Sequence, residues 1–366
     1  MAQSPGNAVK MSLTALPNDC LLACLARVPC ADLRNGLPST CKSLRDAVAS
    51  SAFRKTREAA GYVEWAVFAR GWESDSFLIQ ASGAYRAAPG PTVGQDWHLA
   101  RLSSGRGDEV VLIQTFPGEM RADAYHPLQN RWRELAPPFS RHSGWTLSDG
   151  INQEVTCRGL GSTIMVIGGT AEASIDVYDA SQDTWSHRHV PSDFPFCYLG
   201  DSYSKAVEVD GKLWLYALEY HLQETFVYDP ATQTWTAGPR LPHELYDEGG
   251  VLPYYQAFEW RKRFCLMACF KLDPEDVSYL GFMWDPIRGA WDEAPFPVPP
   301  VIAHDGDSID NNLIVSGHVD SSDPTGRIST PSRLFVLKPD SSDWDEWRIP
   351  DGLARATDTI AAVRLG

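Results

Sequence analysis

The sequence predicts a mainly β protein: six four-stranded blades closed into a propeller, preceded by a small all-α head. Three observations carry this expectation. First, an aromatic residue, usually followed by Asp, stands seven residues before a Trp in Tyr125/Trp132, Tyr178/Trp185, Tyr228/Trp235 and Trp284/Trp291, and Leu337/Trp344 keeps the spacing. The steps between these Trp residues are 53, 50, 56 and 53. A unit of that length cannot bury its own apolar face, so successive copies must stack. Second, apolar runs of strand length recur six times, at 63–69, 110–115, 162–167, 212–217, 263–268 and 312–316. Third, residues 13–60 have a different texture, rich in Leu and Ala at helical intervals.

The head comes first in the chain. Leu21, Leu25 and Val28 share one helical face, and Asn18 or Asp19, after Pro17, is placed to cap that helix. Pro29 and Pro38 interrupt the segment, and Leu44, Val48 and Phe53 mark a further amphipathic stretch. Two to three short helices are expected, with an apolar face left for a partner. The stretch LPNDCLLACLARVPCADL…CKSLRDAVASSAF resembles the F-box. It departs from that pattern at Thr40 and Ser43, where the family usually has Val and Trp. The resemblance implies docking on a Skp-family adaptor and, through it, a cullin, with Leu16, Pro17, Leu21, Leu25, Leu33 and Leu44 as the adaptor-binding residues. The head is assigned to residues 13–57.

The body is assigned to residues 61–366. In each of the last five copies the apolar run is followed by the aromatic strand, the Trp strand and a Pro-rich turn, and most are preceded by a further strand-like stretch, such as SKAVEVDG. Four strands per repeat make a propeller blade. The blades are expected at about 101–137, 152–190, 203–241, 255–296 and 306–350. The first, about 61–100, has strands at 63–69 and 77–81 and then Trp97, but no leading strand of its own. Ile360–Leu365 supplies that strand, so 357–365 completes blade one and closes the ring, removing the open edges. Gly168-Gly169, Tyr178-Asp179 and Trp185 together resemble a kelch repeat. The whole layout is similar to plant-type F-box/kelch proteins, in which the propeller captures a protein for ubiquitin transfer by the ligase.

Composition narrows the function classes. No apolar run approaches the roughly 20 residues needed to span a bilayer, and MAQSPGNAVKMS has no signal-peptide core; the cytoplasm and/or nucleus is the expected location, with no membrane partner. Residues 1–60 hold eight Lys/Arg against four Asp/Glu, and the remainder 24 against 43. An acidic body disfavours nucleic acid, whose binding rests on phosphate neutralisation, and is compatible with a basic partner. The eight Cys show no metal-site spacing and read as reduced, mostly buried thiols. No nucleophile-elbow, Walker or HExxH motif occurs, so no catalytic residue, metal or cofactor is assigned and a non-catalytic role is expected. The recurrent Trp and aromatic-Asp pairs read as scaffold. Binding is assigned to the variable connections, where Arg141, His142, Trp145, Tyr198, Tyr203, Tyr246, Tyr254, Tyr255, His304 and Asp305 form the expected substrate rim.

Overall fold

The computed structural model describes residues 16–29, 32–33, 41–48, 50–62, 64–71, 76–80, 84–88, 90, 96–104, 107–116, 119–136, 156–168, 174–189, 205–216, 224–242, 254–273, 276–299, 301–318, 333–347, 349 and 357–365. The head contains helices α1 (Asn18–Leu25), α2 (Lys42–Val48) and α3 (Ser51–Ala59). Neither Asn18 nor Asp19 caps α1. Pro17 occupies the N-cap position, with no side-chain bond to the first turn. Ser50 breaks the last amphipathic stretch into α2 and α3: its hydroxyl accepts from the Phe53 N–H at 3.2 Å and so caps α3.

Six four-stranded antiparallel sheets form the body. Blades two to six each use consecutive strands: β4 (Asp96–Ser104) to β7 (Arg131–Glu134), β8 (Thr156–Leu160) to β11 (Thr184–His189), β12 (Lys205–Val209) to β15 (Thr234–Ala237), β16 (Tyr254–Trp260) to β19 (Ala290–Glu293), and β20 (Ile302–Ile309) to β23 (Asp345–Trp347). Blade one joins the two ends of the chain. Its innermost strand, β24 (Thr357–Arg364), pairs antiparallel with β1 (Trp65–Gly71), followed by β2 (Ser76–Gln80) and β3 (Tyr85–Ala87). The innermost strands contact one another in the cyclic order β4, β8, β12, β16, β20, β24 and back to β4. The ring is closed.

One placement differs from the sequence expectation. Trp97 stands on β4, paired across from Gln114 of β5 (Gly107–Phe116), so it belongs to the inner strand of blade two and not to blade one. The third and last strand that blade one takes from this stretch of chain is the short β3, which carries no Trp.

The cores lie between blades, one at each of the six interfaces. The seven-residue aromatic spacing now has a cause. Tyr125/Trp132, Tyr178/Trp185, Tyr228/Trp235 and Trp284/Trp291 are directly opposed across the third and outer strands, with ring centroids 5.1, 5.2, 5.1 and 5.5 Å apart. From there they reach into the preceding blade. The Trp185, Trp291 and Trp344 indole N–H groups donate to the carbonyls of Ala136, Arg240 and Pro297 at 2.7, 2.7 and 2.8 Å. Arg86 and Arg188 of the preceding blade donate to the Tyr125 and Tyr228 hydroxyls. The Asp after the aromatic shapes the turn: Asp179, Asp229 and Asp285 accept the N–H two residues on at 2.8–2.9 Å.

Candidate functional site

Two ends of the propeller differ in how the chain crosses them. At one, the innermost strands turn sharply into their neighbours, as at Gly161, Asp210-Gly211 and Asp310-Asn311, and third strands turn into outer strands. At the other the second strands end and the third begin, and each outer strand ends and the next innermost strand begins. The head is attached at the short-turn end, because α3 leads through Glu64 into β1, whose Trp65 pairs with Arg364 at the end of β24. Glu58 of α3 lines a cavity of about 530 Å³ there with Trp65, Asp310 and Arg364.

The axial channel at that end is crossed by charged side chains. Arg158 on β8 reaches Asp307 on β20 at 2.6 Å, between blades three and six. Arg101 on β4 donates to the Ser308 carbonyl at 3.0 Å and lies 3.8 Å from Glu208 on β12. Burial lifts the Glu208 carboxyl above its ordinary value, opposed by Arg101 and Arg158. A cavity of about 330 Å³ remains at the mouth, lined among others by Arg101, Glu208, Glu259, Asp310 and Arg364. Three carboxylates also cap the free edge of the closing strand: Asp305, Asp307 and Asp108 accept the N–H groups of Ile360, Ala362 and Arg364 at 2.9, 2.8 and 3.1 Å. These are bonds that strand pairing leaves unmade. Asp305 therefore lies inside the channel, stitched to β24, and burial raises its pKa.

The remaining rim residues are placed as follows. Arg141, His142, Trp145, Tyr198, Tyr203 and Tyr246 lie outside the described residues. Tyr254 and Tyr255 open β16, opposite Cys269 and Ala268, and His304 lies on β20; only their backbones are described. In the head, Leu21, Leu25, Leu33 and Leu44 are buried with Leu22, Ala26 and Phe53 in its own core. Their first task is to hold the helices together. Leu16 is half-buried against that core and Pro17 is exposed. Cys20 and Cys24 are exposed on the outer face of α1, against the expectation of mostly buried thiols, whereas Cys265 and Cys269 are buried. Burial pushes the Cys157 thiol up to about 12. Among the described residues no group of His, Cys, Asp and Glu is placed to hold a metal ion, and no helix is long and apolar enough to cross a membrane.

Residues 13–56 match the family model of the F-box domain. The head is an F-box. F-box domains bind Skp1-type adaptors, and proteins that carry them are generally non-catalytic. No curated protein matches the chain. Among solved structures, the chain is similar to TolB from Acinetobacter baumannii, at 9% identity with a TM-score of 0.47 over 85% of this chain and 72% of that one. It is similar also to AofleA from Arthrobotrys oligospora, at 10% identity with a TM-score of 0.45 over 82% and 88%. Neither likeness carries an argument about function. The F-box followed by a six-bladed propeller fits the architecture of a ligase substrate receptor.

Proposed function

We propose that this protein is the substrate-recognition subunit of a Skp–cullin–F-box ubiquitin ligase, with a propeller of the plant-type kelch group. One observation carries the reading: the F-box is joined to the short-turn end of a closed propeller, opposite the end at which each outer strand stops and the next blade begins. That arrangement leaves the variable end open to a protein substrate while the F-box, through Leu16 and Pro17 at its rim, is held on the adaptor and cullin. The protein does no chemistry itself. It raises the effective concentration of substrate lysines near a recruited conjugating enzyme, in the cytoplasm and/or nucleus.

Charge favours a basic substrate. The connections at the end away from the F-box hold 16 Asp/Glu against five Lys/Arg, whereas the short turns hold five of each. A Lys/Arg-rich segment is the complementary partner, and its association falls with salt. A second reading, an F-box protein that stays outside the ligase, draws on Ser43, a small exposed residue where the family pattern has Trp.

The test is purification of the tagged full chain and its Pro17→Asp variant from cells expressing a Skp-family adaptor and a cullin. Adaptor and cullin accompany the wild type and are lost with the variant, while the propeller's thermal transition stays unchanged. A wild-type chain recovered without adaptor counts against the ligase and leaves the second reading in front.

A further inference from the structure

Arg57 lies one residue beyond the F-box match, near the end of α3, and its side chain is fully buried. A guanidinium out of water needs its donors satisfied, and three different parts of the chain satisfy it here. Its Nη1 donates to the Val28 carbonyl at 2.7 Å, beyond the end of α1. Its Nε donates to the Tyr62 carbonyl at 3.1 Å, in the segment leaving the head. Its Nη2 meets the Glu64 carboxylate at 2.9 Å. The cation also lies 5.7 Å from the centre of the Phe53 ring, at the heart of the head's core. Glu64 is already part of the body's framework, because its carbonyl accepts the Leu365 N–H at 2.7 Å, extending the β24–β1 pairing by one bond. Three links follow each other without a gap: head core to Arg57, Arg57 to Glu64, and Glu64 to the strand that closes the ring.

We infer that Arg57 and Glu64 weld the F-box to the propeller, so that the few residues between them act as a fixed joint and not as a tether. Arg57 is a positioning residue: it sets the direction in which the propeller's far end points from the adaptor. The consequence for ubiquitin transfer rests on the proposed ligase reading; the weld itself does not. In a flexible linker of this length the ends would sample many separations, and a peptide carbonyl and a carboxylate would have no reason to converge on one buried cation. A rigid joint restricts which substrate lysines a conjugating enzyme can reach.

The test is small-angle X-ray scattering and scanning calorimetry on the full chain, wild type against Glu64→Ala and Arg57→Ala. Glu64→Ala removes the bond to the body while leaving the Val28 and Tyr62 bonds inside the head and its exit. We expect the wild type to scatter as one rigid particle and to unfold in one transition. In both variants the scattering broadens to an ensemble of head positions, and the head melts separately below the propeller. Should Arg57→Ala unfold the head, seen as lost helical circular dichroism, Glu64→Ala decides alone. Curves from Glu64→Ala that superpose on the wild type by both methods overturn the weld. No adaptor is present in these measurements, so a failure to bind adaptor would count against the proposed function and leave this result standing.

Discussion

The propeller and the head reach stability by different routes. Each blade buries both faces against neighbours, and six apolar clusters run round the ring without a break. Among the described residues the head's helices α1, α2 and α3 run to eight, seven and nine residues, each short of the ~12–15 at which isolated helices become even marginal. It is held by one cluster of seven buried side chains and by Arg57. The comparison teaches that the F-box, a domain of the kind that binds Skp1-type adaptors, is the part with the smaller core, and that Arg57 ties it to the body. The following substitutions break or sharpen that contrast.

The largest effect is expected from Phe53→Ala, which empties the centre of the head and costs about 3–5 kcal/mol. Head helicity is lost in far-ultraviolet circular dichroism and only the propeller's transition remains; a variant that keeps its helicity and the wild-type melt would deny Phe53 its place at the centre of the head. Gly159→Ala attacks the ring instead. A Cβ at Gly159 would stand 1.4 Å from the Arg101 carbonyl oxygen, where β8 crosses close to β4. Forcing these inner strands apart costs about 3 kcal/mol or more, read as a drop in the main melting transition, and an unchanged melt would contradict the close approach. Trp185→Phe keeps a ring but removes the donor to the Ala136 carbonyl, for a loss of about 1 kcal/mol in denaturant unfolding. The same change giving no loss would reduce the recurrent Trp to an apolar filler.

The pH response is a finer probe. Desolvation depresses the His98 imidazole on β4 to about 4 from 6.5. The unfolded chain therefore binds a proton before the folded one does, so stability falls as pH drops from about 6.5 toward about 4. His98→Gln should flatten the melting temperature between pH 7 and pH 5; an equal slope would place the acid sensitivity elsewhere. The smallest effect is a gain. Gln233 holds φ +57° just before β15, where Gly289 holds +63° before β19. Gln233→Gly relieves a left-handed conformation that costs a side chain about 1 kcal/mol, offset in part by unfolded-state entropy; a clear loss on chemical unfolding would deny the strain.

Much of the fold was legible because its signals are local. The Tyr178 to Trp185 spacing is one hairpin, four turn residues between opposed rings, so it repeats wherever the hairpin does. Ring closure was legible from a deficit, since the strand 63–69 had no partner before it and Ile360–Leu365 had none after it. Trp97 carries the residue type of an outer-strand Trp without its partner aromatic seven residues before, and its strand pairs forward with β5. His304 and Asp305 read as part of a variable connection, yet the inner strand β20 already begins at Ile302, and Asp305 and Asp307 accept N–H groups of β24. Arg158 and Asp307, 149 residues apart, leave no trace in local pattern. Arg57 was invisible for a related reason: an Arg on a short helix reads as solvated until Val28, Tyr62 and Glu64 are brought around it.

The most direct test of the central claim is calorimetric titration of a purified Skp-family adaptor into the full chain, with residues 61–366 as the comparison. The account predicts a saturable one-to-one complex with the full chain and none with the body alone. No heat with a folded full chain, or equal binding by residues 61–366, would contradict it.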